Sequence, residues 1–191
     1  MQINFHTVNL KKKHPLQISR GIHDKSQNLF VEIINDGITA WGESAPGKTE
    51  GAKTAGEVQA HLTRLVDTGI ENLSIYEVYQ RSKELKIPAC AQAGIDMALW
   101  DFNAKKAGLQ LKDLLGLPRP QVPTSITVGI NPPEVVKERV EMILSNPEVR
   151  ALKVKLGSPD GIEYDKLIYS QVLESTKKSN VAIRVDANGG W

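Results

Sequence analysis

The sequence holds a single cysteine, Cys90, so no disulfide can form within the chain. Cys90 stands among small residues, Pro88-Ala89-Cys90-Ala91, and reads as a small buried hydrophobe rather than a nucleophile. Charge of one sign is missing too: 24 Lys and Arg against 22 Asp and Glu leave a formal net charge of +2. That balance gives no case for nucleic acid or an acidic membrane surface as partner. The one basic run, Lys11-Lys12-Lys13-His14, is short and isolated, and reads as a solvated turn. No apolar run approaches the roughly 20 residues of a membrane-spanning helix. The opening residues, Met1-Gln2-Ile3-Asn4, lack a signal-peptide pattern, so the cytoplasm is the expected compartment. His6, His14, His23 and His61 are scattered without ligand spacing, which leaves no histidine metal site or catalytic histidine to propose. There is no low-complexity tract.

What is present is ordinary for a soluble globular protein: 40% hydrophobic and 24% charged residues in 191. The first part reads as an antiparallel meander. Strands are expected at residues 2–10, 16–19, 28–34 and 39–43, with a turn at 12–15 and a polar loop at 19–26. Asn35-Asp36-Gly37 is a strong hairpin turn, because Asp-Gly supplies the positive φ that a tight turn needs. Helices follow around Val58, Leu62 and Leu65, around Ile75 and Val78, and from Pro88 to about Lys106. The last of these is apolar nearly all round and should be buried, Trp100 included. Gly116-Leu117-Pro118-Arg119-Pro120 reads as a linker. After it the order becomes strand, helix, strand, helix, strand, so two domains are expected, residues 1–117 and 122–191.

The second part carries the chemistry. Ala151-Leu152-Lys153-Val154-Lys155-Leu156-Gly157 alternates apolar and basic residues, so Lys153 and Lys155 project from one face of a strand. Their Cα atoms should lie about 6.6 Å apart, two strand rises. Ammonium groups that close disfavour each other's charged form, so one of them is suited to take a proton at neutral pH. An edge strand showing two Lys to water is the competing reading. Val181-Ala182-Ile183-Arg184-Val185-Asp186 is a second short strand that ends in a carboxylate. The stretch between has helical spacing, which makes a βαβ unit with parallel strands. Ligands gather at the carboxyl ends of such strands, where Lys155 and Asp186 both fall. A base beside a metal-binding carboxylate suits removal of a proton α to a carboxylate. Asp186 as a plain helix N-cap remains the alternative.

Three motifs in this order resemble the mandelate racemase and muconate lactonizing branch of the enolase superfamily. They are Ala93-Gly94-Ile95-Asp96-Met97-Ala98-Leu99-Trp100-Asp101, Lys153-Val154-Lys155, and Val185-Asp186-Ala187-Asn188. The resemblance implies an α+β capping domain (antiparallel meander plus helices) followed by the first units of a (β/α) TIM-type barrel. Within the branch, Ile18-Ser19-Arg20-Gly21 and Thr124-Ser125-Ile126-Thr127-Val128-Gly129 look most like the dipeptide epimerases of the Ala-Glu type.

That likeness implies a Mg²⁺ cofactor, a small-molecule substrate (a dipeptide or other carboxylate) and a metal-stabilised enolate. Lys155 would be the acid/base on one face of the substrate. Lys153 would contact the substrate carboxylate and tune its neighbour, and Asp186 would be a metal ligand. Arg20 would meet the substrate's acidic side chain, and Thr127 would contact substrate. Against these stand a plain surface Arg20 and a Thr127 present only as a β-branched strand residue. Asn188 reads as a turn residue first and as support for the metal shell second. A muconate cycloisomerase or an o-succinylbenzoate synthase would share the Lys pair and the Asp. The loop Gly47-Lys48-Thr49-Glu50-Gly51 departs from the commonest family versions. The family uses three carboxylate ligands and an opposing Lys, and the sequence stops at Trp191. The expectation is therefore an N-terminal part of a longer, homo-oligomeric enzyme, inactive by itself; a non-catalytic truncated chain is the alternative of another class.

Overall fold

A computed structural model describes residues 1–191. The chain divides into two compact units: Met1–Leu10 with Ser26–Arg119, and Lys11–Lys25 with Pro120–Trp191. The middle of the first hairpin thus belongs, by its contacts, with the second unit.

In the first unit three antiparallel strands pair in the order β1-β2-β3. They are β1 Gln2–Ile18, β2 Gly21–Asn35 and β3 Ile38–Ser44. Asp36 and Gly37 turn β2 into β3 with φ of 51° and 75°, the two positive angles expected of an Asp-Gly turn. The strand pattern has period two: Leu29, Val31, Ile33 and Ala40 are fully buried on the face towards the helices. Four helices follow: α1 Ala55–Val66, α2 Ile75–Glu84, α3 Ala89–Lys106 and α4 Leu111–Leu114. α1 starts where the Thr54 side chain accepts from the Glu57 amide at 3.1 Å. α2 starts in a capping box, with Ser74 and Glu77 exchanging side-chain-to-backbone bonds. Val58, Leu62, Leu65, Val78, Ile95 and Leu99 close the core from the helix side. Fully burying a branched or aromatic side chain of this kind contributes about 1.5–3 kcal/mol.

Three expectations are corrected here. The chain does not turn at residues 12–15: β1 runs unbroken through the basic run and Pro15. β1 is an edge strand, where a proline's missing N–H breaks no ladder, and its exposed Lys residues are solvated. The loop expected at 19–26 shrinks to a turn at Ser19-Arg20, since β2 already begins at Gly21. α3 is also not buried all round. It presents small residues to β3 and leaves Met97 44% exposed, with Trp100 only half-buried.

The second unit alternates strand and helix: β4 Ser125–Val128, α5 Pro133–Leu144, β5 Ala151–Lys155, α6 Ile162–Thr176 and β6 Ala182–Asp186. The strands are parallel, in the order β4-β5-β6. Val128, Val136, Val140, Leu152, Val154, Ile168 and Val172 form its core. The hairpin segment joins this unit through the Ile130 amide, which donates to the Gln17 carbonyl at 3.0 Å.

Candidate active site

Strand register sets the site. Thr127 lies opposite Lys153, and Lys153 opposite Arg184; one step further on, Lys155 lies opposite Asp186. Residues opposite one another share a face, so all five stand on one side of the sheet. Valine and leucine alternate with them and fill the other side, which forces the polar set outward.

At the carboxyl end Lys155 Nζ donates to Asp186 Oδ2 at 2.7 Å and to Asn188 Oδ1 at 2.7 Å. Lys153 Nζ approaches the same Asp186 oxygen at 3.8 Å. The Asn188 amide donates to Asp186 Oδ1 at 2.9 Å. One carboxylate therefore sits against two cations, an anion that the spacing of the lysines alone did not reveal. The hydrogen bond from Lys155 holds the Asp186 carboxyl below the ordinary carboxylate range. The Asn188 amide and the charges of Lys155 and Lys153 act the same way, and partial burial opposes them. A lowered carboxylate favours the folded state above its unfolded-state value and loses that contribution as the pH falls through the folded value. Lys155 is buried, its side chain 8% exposed, whereas Lys153 and Asp186 are about one-third exposed, at 33% and 34%. A buried amine beside a more open carboxylate leaves room for a ligand on the open side.

Of the residues singled out from sequence, Lys153, Lys155, Asp186 and Thr127 come together on this face. Arg20 stands in the Ser19-Arg20 turn with its side chain exposed. That turn meets the loop after β6, where Ser19 Oγ donates to the Asn188 carbonyl at 3.3 Å. Asn188 takes the turn role weighed for it, with φ of 51°, and its amide oxygen also accepts a hydrogen bond from Lys155. Arg184, two residues before Asp186 on its strand, shares the face by register.

Mg²⁺ prefers oxygen ligands, and the Asp186 carboxylate supplies that chemistry, without thiolate or imidazole beside it. One carboxylate does not complete such a site. No group of three His, Cys, Asp or Glu capable of holding a metal is present in residues 1–191.

Residues 2–116 match the mandelate racemase / muconate lactonizing enzyme, N-terminal domain. The chain belongs to that family. A hydrophobic dipeptide epimerase of Flavobacteria bacterium (strain MS024-2A) is 56% identical over all 191 residues, and one of Roseobacter litoralis is 50% identical. The chain spans about half the length of these curated relatives, 55% of each. Two solved family structures have the same fold over the whole chain. The L-Ala-D/L-Glu epimerase of Bacillus subtilis in a substrate-liganded complex matches with a TM-score of 0.89 at 26% identity. The dipeptide epimerase of Enterococcus faecalis complexed with Mg and L-Leu-L-Tyr matches with 0.88 at 27%. The chain covers 54% of each of these two. No helix of the structure is long and apolar enough to cross a membrane.

Proposed function

We propose that this chain supplies one catalytic face of a Mg²⁺-dependent dipeptide epimerase, which inverts the α-carbon next to a substrate carboxylate. The observation that carries the reading is Lys155 Nζ, buried and 2.7 Å from the Asp186 carboxylate. Lys155 Nζ is the group that takes the α-proton. Lys153, more exposed and on the same face, meets the substrate carboxylate and draws charge towards it. Asn188 helps keep Lys155 in place, its amide oxygen accepting from Nζ at 2.7 Å. Asp186 holds the cation, together with oxygen ligands from outside these 191 residues. When bound, the cation offsets negative charge that develops on the substrate carboxylate.

The names of the 56% and 50% identical relatives favour an apolar dipeptide. A second reading, an acidic C-terminal residue as in Ala-Glu, is favoured by the exposed cation of Arg20 in the turn beside the β6 loop. The test is a dipeptide panel in D₂O with the full-length protein, following deuterium entry at the α-carbon by mass spectrometry. Exchange with apolar dipeptides supports the first reading, exchange with Ala-Glu the second, and exchange with none overturns the epimerase assignment.

Arg20 has its own expected result. A charge-assisted pair in a closed site is worth about 1.5–3 kcal/mol. Under the acidic reading, Arg20→Met raises KM for Ala-Glu by about ten- to a hundredfold and leaves Leu-Tyr nearly unchanged. Equal losses on both substrates mean that Arg20 only shapes the turn.

A further inference from the structure

The one deeply buried carboxylate of the second unit takes no direct part in the chemistry above. Asp165, in the first turn of α6, is 2% exposed. It has no cationic partner in the structure and is satisfied by three N–H donors. The Gly157 amide donates to Oδ2 at 2.9 Å and the Ser158 amide to Oδ1 at 3.0 Å. The third donor comes from another loop: Trp191 Nε1 donates to Oδ2 at 2.9 Å. Gly157 lies two residues after Lys155, and Trp191 three after Asn188. Asp165 therefore ties the loop behind the base to the loop behind the metal-ligand carboxylate.

The two loops also touch directly. The Leu156 amide donates to the Asp186 carbonyl at 3.1 Å. Gly157 has φ of +81°, and a Cβ there would stand 2.5 Å from the Ala187 carbonyl oxygen. With no side chain between them, the backbones lie too close for either loop to shift alone, and the shared carboxylate fixes their relative height.

We propose that Asp165 is a positioning residue that locks the β5–α6 loop and the loop after β6 into one piece and so sets the Lys155–Asp186–Asn188 geometry. A carboxylate serving only the β5–α6 loop would bond Gly157 and Ser158, and the Trp191 bond would be incidental. The proposal makes the Trp191 bond part of the device. It rests on the assignment of Lys155 and Asp186 to catalysis, so its test has one readout that depends on activity and one that does not.

The test compares wild type, Asp165→Asn, Trp191→Phe and the double variant in the full-length protein. Trp191→Phe keeps an aromatic ring and removes the N–H donor, so it tests the link even where Asp165→Asn unfolds. Amide resonances of Gly157, Ser158 and Asn188 are followed by ¹⁵N NMR, and kcat and KM on a turned-over dipeptide are measured alongside. Trp191→Phe is expected to move the Gly157 and Ser158 resonances from across the loop boundary, and Asp165→Asn to move that of Asn188. Small misplacements of catalytic groups are costly, so Asp165→Asn should lower kcat by about ten- to a hundredfold with KM changed less than about threefold. The double variant should lose no more than Asp165→Asn alone, because both substitutions break one link. Resonance changes confined to the substituted loop, or losses in kcat that multiply, overturn the proposal. A wild type with no epimerase activity overturns the functional reading instead, and the resonances still decide whether the loops are locked together.

Discussion

Replacing Lys155 with alanine is expected to stop deuterium exchange at the substrate α-carbon. General-base catalysis typically contributes about 10²–10⁴-fold, so exchange should fall by at least that much. The fold should survive. Lys155 is a buried cation, and removing one partner of a buried pair is often severe because the other charge is stranded. Here it is not stranded: Asp186 keeps the Asn188 amide at 2.9 Å, has Lys153 at 3.8 Å, and remains about one-third open to water. The variant should therefore unfold at nearly the wild-type denaturant concentration while losing exchange. Lys155→Met, which refills the volume of the side-chain stem, should behave alike. Exchange at the wild-type rate in either variant would take the base role away from Lys155.

How far this site could be read in the sequence depended on whether a signal was local. The faces of Lys153 and Lys155 follow from strand period alone, and the βαβ order places Asp186 at the neighbouring strand end. Register then put Thr127 and Arg184 in one row with Lys153. That row depends on pairing between segments far apart in the chain, which a single strand pattern does not encode. Asn188 reads as a turn residue from its local sequence; its bond to Lys155 spans 33 residues. Asp165 gave no signal, since an acid in the first turn of a helix is common and its donors sit on other elements. The cap was read well where periodicity was strong, at β3, α1 and the second half of β2. It was misread at residues 12–15, where a polar stretch with proline resembles a turn unless one knows that the strand lies at a sheet edge.

The largest stability effect is expected in the first unit, at Gly42. β3 is an edge strand, and α3 covers its open side: the Trp41 amide donates to Asp101 at 2.9 Å and Lys105 Nζ donates to the Thr39 carbonyl at 2.9 Å. Strand and helix come this close because both carry glycine. A Cβ on Gly42 would meet the Gly94 carbonyl oxygen at 1.9 Å and the Ala98 amide nitrogen at 2.7 Å. Both are helix backbone and cannot turn aside, so Gly42→Ala forces β3 and α3 apart and weakens those two bonds. Overpacking usually costs about 1–3 kcal/mol, and Gly42→Ala belongs at or above the top of that range. Gly94→Ala meets a side chain instead, Ser44 Oγ at 2.1 Å, and no hydrogen-bond partner holds that oxygen. The oxygen can move, and alanine is favoured over glycine in a helix by about 1 kcal/mol, so Gly94→Ala should cost much less. Ser44→Ala removes a buried unpaired hydroxyl and should be neutral or slightly stabilising. It should also relieve Gly94→Ala when the two are combined, and leave Gly42→Ala uncorrected, because its clash is with backbone. Urea unfolding followed by tryptophan fluorescence would rank the three single and two double variants. A Gly42→Ala protein as stable as wild type, or one rescued by Ser44→Ala, would show that the strand–helix contact is not held by backbone at Gly94.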